Sequence, residues 1–433
     1  ILVNQEIAYK KFEPGPAIDD RTTKNNPTNF FKLLVKNFFR KVGCAVPERF
    51  NKVVFIYSNF SKWDLFKLQV SLGQFPCLLD SEITIKNISV NPEMRSGLEI
   101  EEASSYFEKI LEKLIPANIP KLNVELYAKL CERVLQQFPQ KISTIVTTHG
   151  FWAEDDFKVW AAQKMENGAK LVIGQHGGLF GSALIEQSEE HQIKISDLYC
   201  TWGWKDKQHC HVRPVPSPKL AYAIQKGITP KPDGSILWVW GADFTKYFFR
   251  MHSIPIASQC LEYIYEQIEF GKNISEEGLK ILKLRLRPGG RFLWEEDQHI
   301  REAGLGKIID NSNQDLYTQL SESRLCVTTD NSTVFLETLT LNFPTVLFWN
   351  PRHWELRPSA QPFYDELKRV NILHNSAKAA AATVNKIQKD PSDWWIQPER
   401  QRVIKSFCKE FACHNPNWLR DWKNELKNLS LSH

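Results

Sequence analysis

Thr329-Asp330-Asn331-Ser332-Thr333-Val334-Phe335-Leu336-Glu337-Thr338-Leu339 follows a short β-branched run, Leu325 to Thr328, and precedes a second strand-like run, Thr345 to Trp349. Strand, polar turn, short helix and strand make a right-handed parallel unit, which sets the fold class as α/β. The helix opens on hydroxyl side chains. Its free backbone N–H groups and the positive end of its dipole attract phosphate, and Ser332 and Thr333, with Asn331 beside them, add polar partners. Thr333 and Glu337 share one helix face, about 6 Å apart along the axis. A nucleotide whose phosphates touch the hydroxyls would therefore place its ribose near Glu337. An ordinary N-cap on a buried helix accounts for the same residues.

The alternation continues outward from this unit. Upstream, strand Ile236 to Trp240, helix Ser258 to Phe270, strand Ile281 to Leu286 and helix Asp315 to Ser321 lead into it. Further back, strand Lys52 to Tyr57, helix Lys62 to Leu72, and helical stretches at Glu101 to Leu114 and Asn123 to Gln137 come first. Strand Ser143 to Thr148, helix Asp155 to Glu166, strand Lys170 to Ile173 and an apolar run at Asp197 to Trp202 follow. Between the two series, Pro214, Pro216, Pro218, Pro230 and Pro232 mark a linker. The expected organisation is an N-terminal domain over residues 1–210, a Pro-rich linker over 211–234, a C-terminal domain over 235–398 and a helical tail over 399–433. Two doubly wound α/β domains would face each other across a cleft, where loops at strand carboxyl ends gather.

Composition narrows the function without choosing it. With 433 residues, 55 basic and 50 acidic, the net charge of +5 does not indicate a nucleic-acid binder. The nine cysteines are scattered without a C-x-x-C pair, which fits a reducing cytoplasm and no disulfide scaffold. Cys210-His211 beside His209 has no second cluster to complete a metal site, so no metal is expected. The chain begins at Ile1 rather than Met, leaving room for an upstream segment, and no apolar run has spanning length. Residues 30–41, in Asn29-Phe30-Phe31-Lys32-Leu33-Leu34-Val35-Lys36-Asn37-Phe38-Phe39-Arg40-Lys41, are amphipathic at helical spacing. They fit peripheral contact with the inner face of a membrane, or a core helix with solvated lysines.

The chemistry-bearing residues cluster at strand ends. Gly174-Gln175-His176-Gly177-Gly178-Leu179-Phe180-Gly181 holds four glycines in eight residues, which permits close backbone approach. His176 sits where a side chain faces a cleft, able to meet a phosphate or take a proton from a hydroxyl; the alternative is a histidine that braces the turn. Gln175 and Gly177 flank it. His149 ends at the same rim, and Glu154, Asp155 and Asp156 open the next helix as caps, or as a candidate base in the case of Glu154 or Asp155. In the C-terminal half, Arg285 and Arg287 share a strand face and would neutralise a leaving nucleotide, or else pair with surface acids. Tyr247, Arg250 and His252 are further cleft candidates.

The run TDNSTVFLETLTLNFPTVLFWNP resembles the donor-binding unit of GT-B glycosyltransferases, and GQHGGLFG followed by SDLYCTWGW resembles the end of their N-terminal domain. Together these segments cover roughly residues 140 to 375. The layout is similar to bacterial capsule and O-antigen transferases, to capsule β-Kdo transferases and to CDP-glycerol glycerophosphotransferases. The W-H-G wording of the polymerases and the two-glutamate donor motif of retaining hexosyltransferases are absent. The resemblance implies a GT-B fold with an acceptor-side N-terminal domain and a nucleotide-binding C-terminal one. It further implies a cytoplasmic glycosyltransferase, with a nucleotide-sugar donor of CMP- or CDP-linked type, a surface-glycan or lipid-linked acceptor, and no cofactor. A nucleotide-sugar epimerase or hydrolase on the same scaffold, or a non-catalytic glycan-assembly scaffold, remain alternatives.

Overall fold

The computed structural model of the protein describes residues 52–77, 89–98, 104–241, 254–286 and 296–431. Among them two sheets of five strands form, each parallel throughout. The first comprises β1 (Val53–Phe55), β2 (Thr144–Thr147), β3 (Lys170–Gly174), β4 (Leu198–Thr201) and β5 (Val212–Pro214), in chain order across the sheet. The second comprises β6 (Ser235–Val239), β7 (Leu282–Arg285), β8 (Ser323–Thr328), β9 (Thr345–Phe348) and β10 (Leu373–His374), ordered β10-β9-β8-β6-β7. After β7 the chain crosses back over β6 to lay down β8. The strand order therefore reverses between β6 and β8, the position at whose carboxyl ends open α/β sheets bind their ligands.

Both sheets are covered on both faces, as the near-continuous apolar strands require. Alternate residues go to opposite sides: Ile236 and Trp238 pack under the Cys260–Asn273 helix side, while Leu237 and Val239 pack with Leu320 and Phe343 on the other. In the first sheet, Ile145, Leu171 and Ile173 meet Leu130, Val134 and Trp160, whereas Phe55, Val146 and Val172 meet Leu65 and Leu68. Trp160 is fully buried and its indole N–H donates to the Pro139 carbonyl at 2.9 Å. The expectation of two Rossmann-like α/β domains is met, and the strands expected from the sequence lie within about two residues of those seen.

Residues 211–234 depart from the expected linker. Val212–Pro214 pairs with β4 as the edge strand of the first sheet, and Pro218–Gln225 is a helix. The prolines misled because each sits where proline is tolerated. Pro214 closes an edge strand, and Pro218 takes the first helical position behind Ser217, whose hydroxyl accepts from the Leu220 N–H. The tail divides into two helices. Pro398–Phe411 packs Phe407 and Phe411 against Tyr364 of the C-terminal half, and Trp418–Leu431 returns to the first sheet. There Trp418, Trp422 and Leu426 cover Phe60, Leu65 and Leu68, and the Trp422 indole donates to the Pro216 carbonyl at 2.9 Å. Among the described residues no helix is long and apolar enough to cross a membrane. The amphipathic stretch 30–41, Arg287, Tyr247, Arg250 and His252 lie outside the described residues.

Trp422→Ala removes a buried aromatic and its hydrogen bond at the seam between the tail and the first sheet. A loss of about 3–5 kcal/mol is expected, read as a lower urea midpoint.

Candidate active site

Three strand ends of the first sheet build one wall. β1 delivers Tyr57 and Asn59, β2 delivers His149 and the short turn of helix carrying Trp152, and β3 delivers the glycine loop with His176. The Asn59 amide donates to the His176 carbonyl at 2.8 Å, fixing the loop from its far side. The His149 and His176 rings meet edge to face with centroids 5.4 Å apart, and the Trp152 ring lies 4.5 Å from His176. Trp152 is 37% exposed at this rim. Burial holds the His149 ring below the usual imidazole range, which keeps it neutral at neutral pH.

The second wall is the turn after β8. Ser332 takes the N-cap position of the Thr333–Thr340 helix in extended backbone, without spending its hydroxyl on a cap bond. The two walls touch here. The Gly178 N–H donates to Thr333 Oγ1 at 3.0 Å, and a Cβ on Gly178 would sit 2.3 Å from the Ser332 carbonyl carbon. At Gly177 it would sit 2.6 Å from Thr333 Oγ1. Gly177 and Gly178 are thus required by the neighbouring half of the molecule. His176 comes to rest beside the helix start that the sequence marked for phosphate.

A clamp beside this contact was not legible in the sequence. Arg357, on the C-terminal half, donates to the Ala183 carbonyl at 3.0 Å and meets Glu189 of the N-terminal half at 2.7 Å. Ala183 and Leu356 form an antiparallel bridge alongside it. Burial pushes the Glu189 carboxyl up, while Arg357 and the Gly181 N–H pull it down. Asn331 completes the seam: its amide donates to Ser182 Oγ at 3.2 Å, and its carbonyl oxygen accepts from the Tyr364 hydroxyl at 2.8 Å. Asn331 therefore joins the halves.

Other expected residues are placed differently from their neighbours in the chain. Gln175 is 2% exposed and does not face the cleft. Its side-chain oxygen accepts from the Trp202 N–H at 2.8 Å and the Trp204 indole at 2.9 Å, and its amide donates to the Gly177 carbonyl at 2.8 Å. It props the loop from within because successive residues leaving a strand point to opposite sides. Arg285 donates to the Gln314 carbonyl at 2.7 Å and to the Gln319 side chain, so its guanidinium serves the start of the Leu316–Ser321 helix. Burial lowers its pKa, against the pull of Asp315 and Asp310. Glu337 shares the Thr333 face one turn in, but is 3% exposed and pairs with Lys219 at 2.9 Å. The Tyr317 hydroxyl also bonds to it. Lys219 was hidden in the stretch read as linker. Asp155 pairs with Lys158 at 2.9 Å, and Glu154 occupies the N-cap position before it.

The model of one protein family, the LIC12162 family transferase, matches residues 4–426. Searching the curated proteins gives no significant match. Among solved structures, Acinetobacter baumannii MurG is similar at 10% identity and a TM-score of 0.41, covering 87% of this chain and 99% of that one. Anabaena Alr3699/HepE, in complex with UDP and glucose, is similar at 9% identity and 0.43, covering 87% and 99%. A glycosyltransferase from Rickettsia africae ESF-5 is similar at 11% identity and 0.43, covering 88% and 99%.

Gly178→Ala should part the two loops, costing about 1–3 kcal/mol of packing and speeding amide exchange over residues 176–183. Burial also lowers the pKa of His353 and His374, as of His149. As pH falls below about 6.5 the unfolded chain takes up these protons first, so stability present above that value is lost down to the folded pKa values. Urea midpoints at pH 7.5 and 5.5 check the sign, and His149→Gln should flatten the difference.

Proposed function

The chain belongs to the LIC12162 family of transferases, and we propose that the group it moves is a sugar, carried from a nucleotide-sugar donor to a surface-glycan or lipid-linked acceptor. The observation that carries this reading is the contact of the His176 loop with the Ser332–Thr333 helix start, through the bond from the Gly178 N–H to Thr333 Oγ1. It brings an anion-attracting helix end, two hydroxyls and a pair of imidazoles to one rim, where strand order reverses. Donor phosphates would sit at Ser332 and Thr333, displacing or sharing the Gly178 bond, and the ribose would lie toward Glu337 and Lys219. His176 would meet the leaving phosphate from the other wall. A cytidine-linked donor is favoured by the resemblance of GQHGGLFG and TDNSTVFLE to enzymes that use such nucleotides. Phosphate charge met by the helix start and its hydroxyls would dispense with a metal ion.

Calorimetry with CMP, CDP, UDP and GDP tests the reading. One of them should bind, and Thr333→Val should weaken it about 10-fold or more, the worth of a hydrogen bond to a charged group. Nucleotide affinity unchanged by Thr333→Val would overturn the assignment. Turnover should survive EDTA, and His176→Ala should lower kcat about 10²-fold.

A further inference from the structure

The second histidine of the rim has a more closely defined proton geometry than His176. His149 Nδ1 lies 3.0 Å from Thr148 Oγ1, and the Thr148 hydroxyl lies 3.0 Å from the Tyr57 carbonyl. A hydroxyl has one proton to give. Given to the carbonyl, it leaves the hydroxyl oxygen to accept from the ring Nδ1–H. A neutral imidazole with its proton on Nδ1 carries its lone pair on Nε2, at the far side of the ring from Thr148. Among the described residues no hydrogen bond to Nε2 is seen, whereas Nδ1 has Thr148. Among the described residues, the rings facing it are Tyr57 from the end of β1 and His176 from the end of β3, with centroids 6.0 and 5.4 Å away. Neither is a carboxylate or a fixed cation. Burial alone shifts the ring, downward, so the lone pair is present at neutral pH.

We propose that His149 is the general base of the transfer, with Thr148 as the positioning residue that fixes its tautomer and His176 left to serve the donor phosphate. The acceptor hydroxyl gives its proton to His149 Nε2 as its oxygen bonds to the anomeric carbon. The bond from that carbon to the donor phosphate oxygen breaks, and the nucleotide leaves with the electron pair. This inference rests on the glycosyl-transfer reading above, but the tautomer can be read without any turnover.

The full chain labelled with ¹⁵N-histidine, with His149→Gln to assign the signal, should show His149 protonated on Nδ1 at neutral pH. Thr148→Val should mix the tautomers. An Nε2–H ring in the wild-type protein would overturn the proposal. With CMP-, UDP- and GDP-linked sugars as donors and water as acceptor, His149→Gln should keep the affinity for the free nucleotide within about two-fold and slow nucleotide release about 10²-fold. Thr148→Val should lower kcat without raising the donor KM, and Thr148→Ser should restore it. Near-normal kcat in His149→Gln would also overturn the proposal. Failure of every nucleotide to bind the wild-type protein would instead count against the transfer reading, and the tautomer measurement would still decide the geometry of His149.

Discussion

The structure turns on a contact that has no side chain on one side of it. Gly177 and Gly178 bring bare backbone against Ser332 and Thr333, so closely that a methyl group at either position would overlap the neighbouring half. Close approach without a side chain lets a backbone N–H reach the hydroxyl at the head of a helix. Everything proposed for the site follows from that approach. It sets the loop that carries His176 against the helix start, with His149 beside His176, and it makes the two sheets share one rim rather than two separate ones. The Arg357–Glu189 pair and the Asn331 bonds to Ser182 and Tyr364 hold the same seam from the side. A buried ion pair is costly to break singly, because the remaining charge stays out of water.

What was legible in the sequence was local. The β8–turn–helix–β9 unit announced itself because apolar runs of strand length flank a turn of small polar residues, and the helix behind Ser332 opens on a hydroxyl. The same logic of strand ends marks His176 and Thr333, whose loops the structure brings together. Misplacement began where a residue's direction mattered more than its position. Gln175 and His176 are adjacent, yet one is sealed under the loop against Trp202 and Trp204 and the other stands at the rim. Arg285 looked like a phosphate partner, but the Gln314 carbonyl is nearer to hand in the folded chain.

What was illegible was long-range. Glu189 and Arg357 are 168 residues apart, and nothing near either announces the other. Lys219 was missed for a different reason. Prolines around it suggested open chain, whereas they mark the edge of a sheet and the first turn of a helix. That helix carries Lys219 to Glu337 and so ties the crossing segment to the helix that opens at the site.

The Trp418–Leu431 helix gives the molecule an order of assembly. Phe60, Leu65 and Leu68 emerge from the ribosome early, but the residues that cover them, Trp418, Trp422 and Leu426, are made some 350 residues later. At synthesis rates of about 5–20 residues per second, that apolar face waits on the order of tens of seconds for its lid. The first sheet is thus the first to be made and among the last to be finished. During that interval its uncovered face is a natural client surface for chaperones, and a nascent chain stalled before Trp418 would expose it indefinitely.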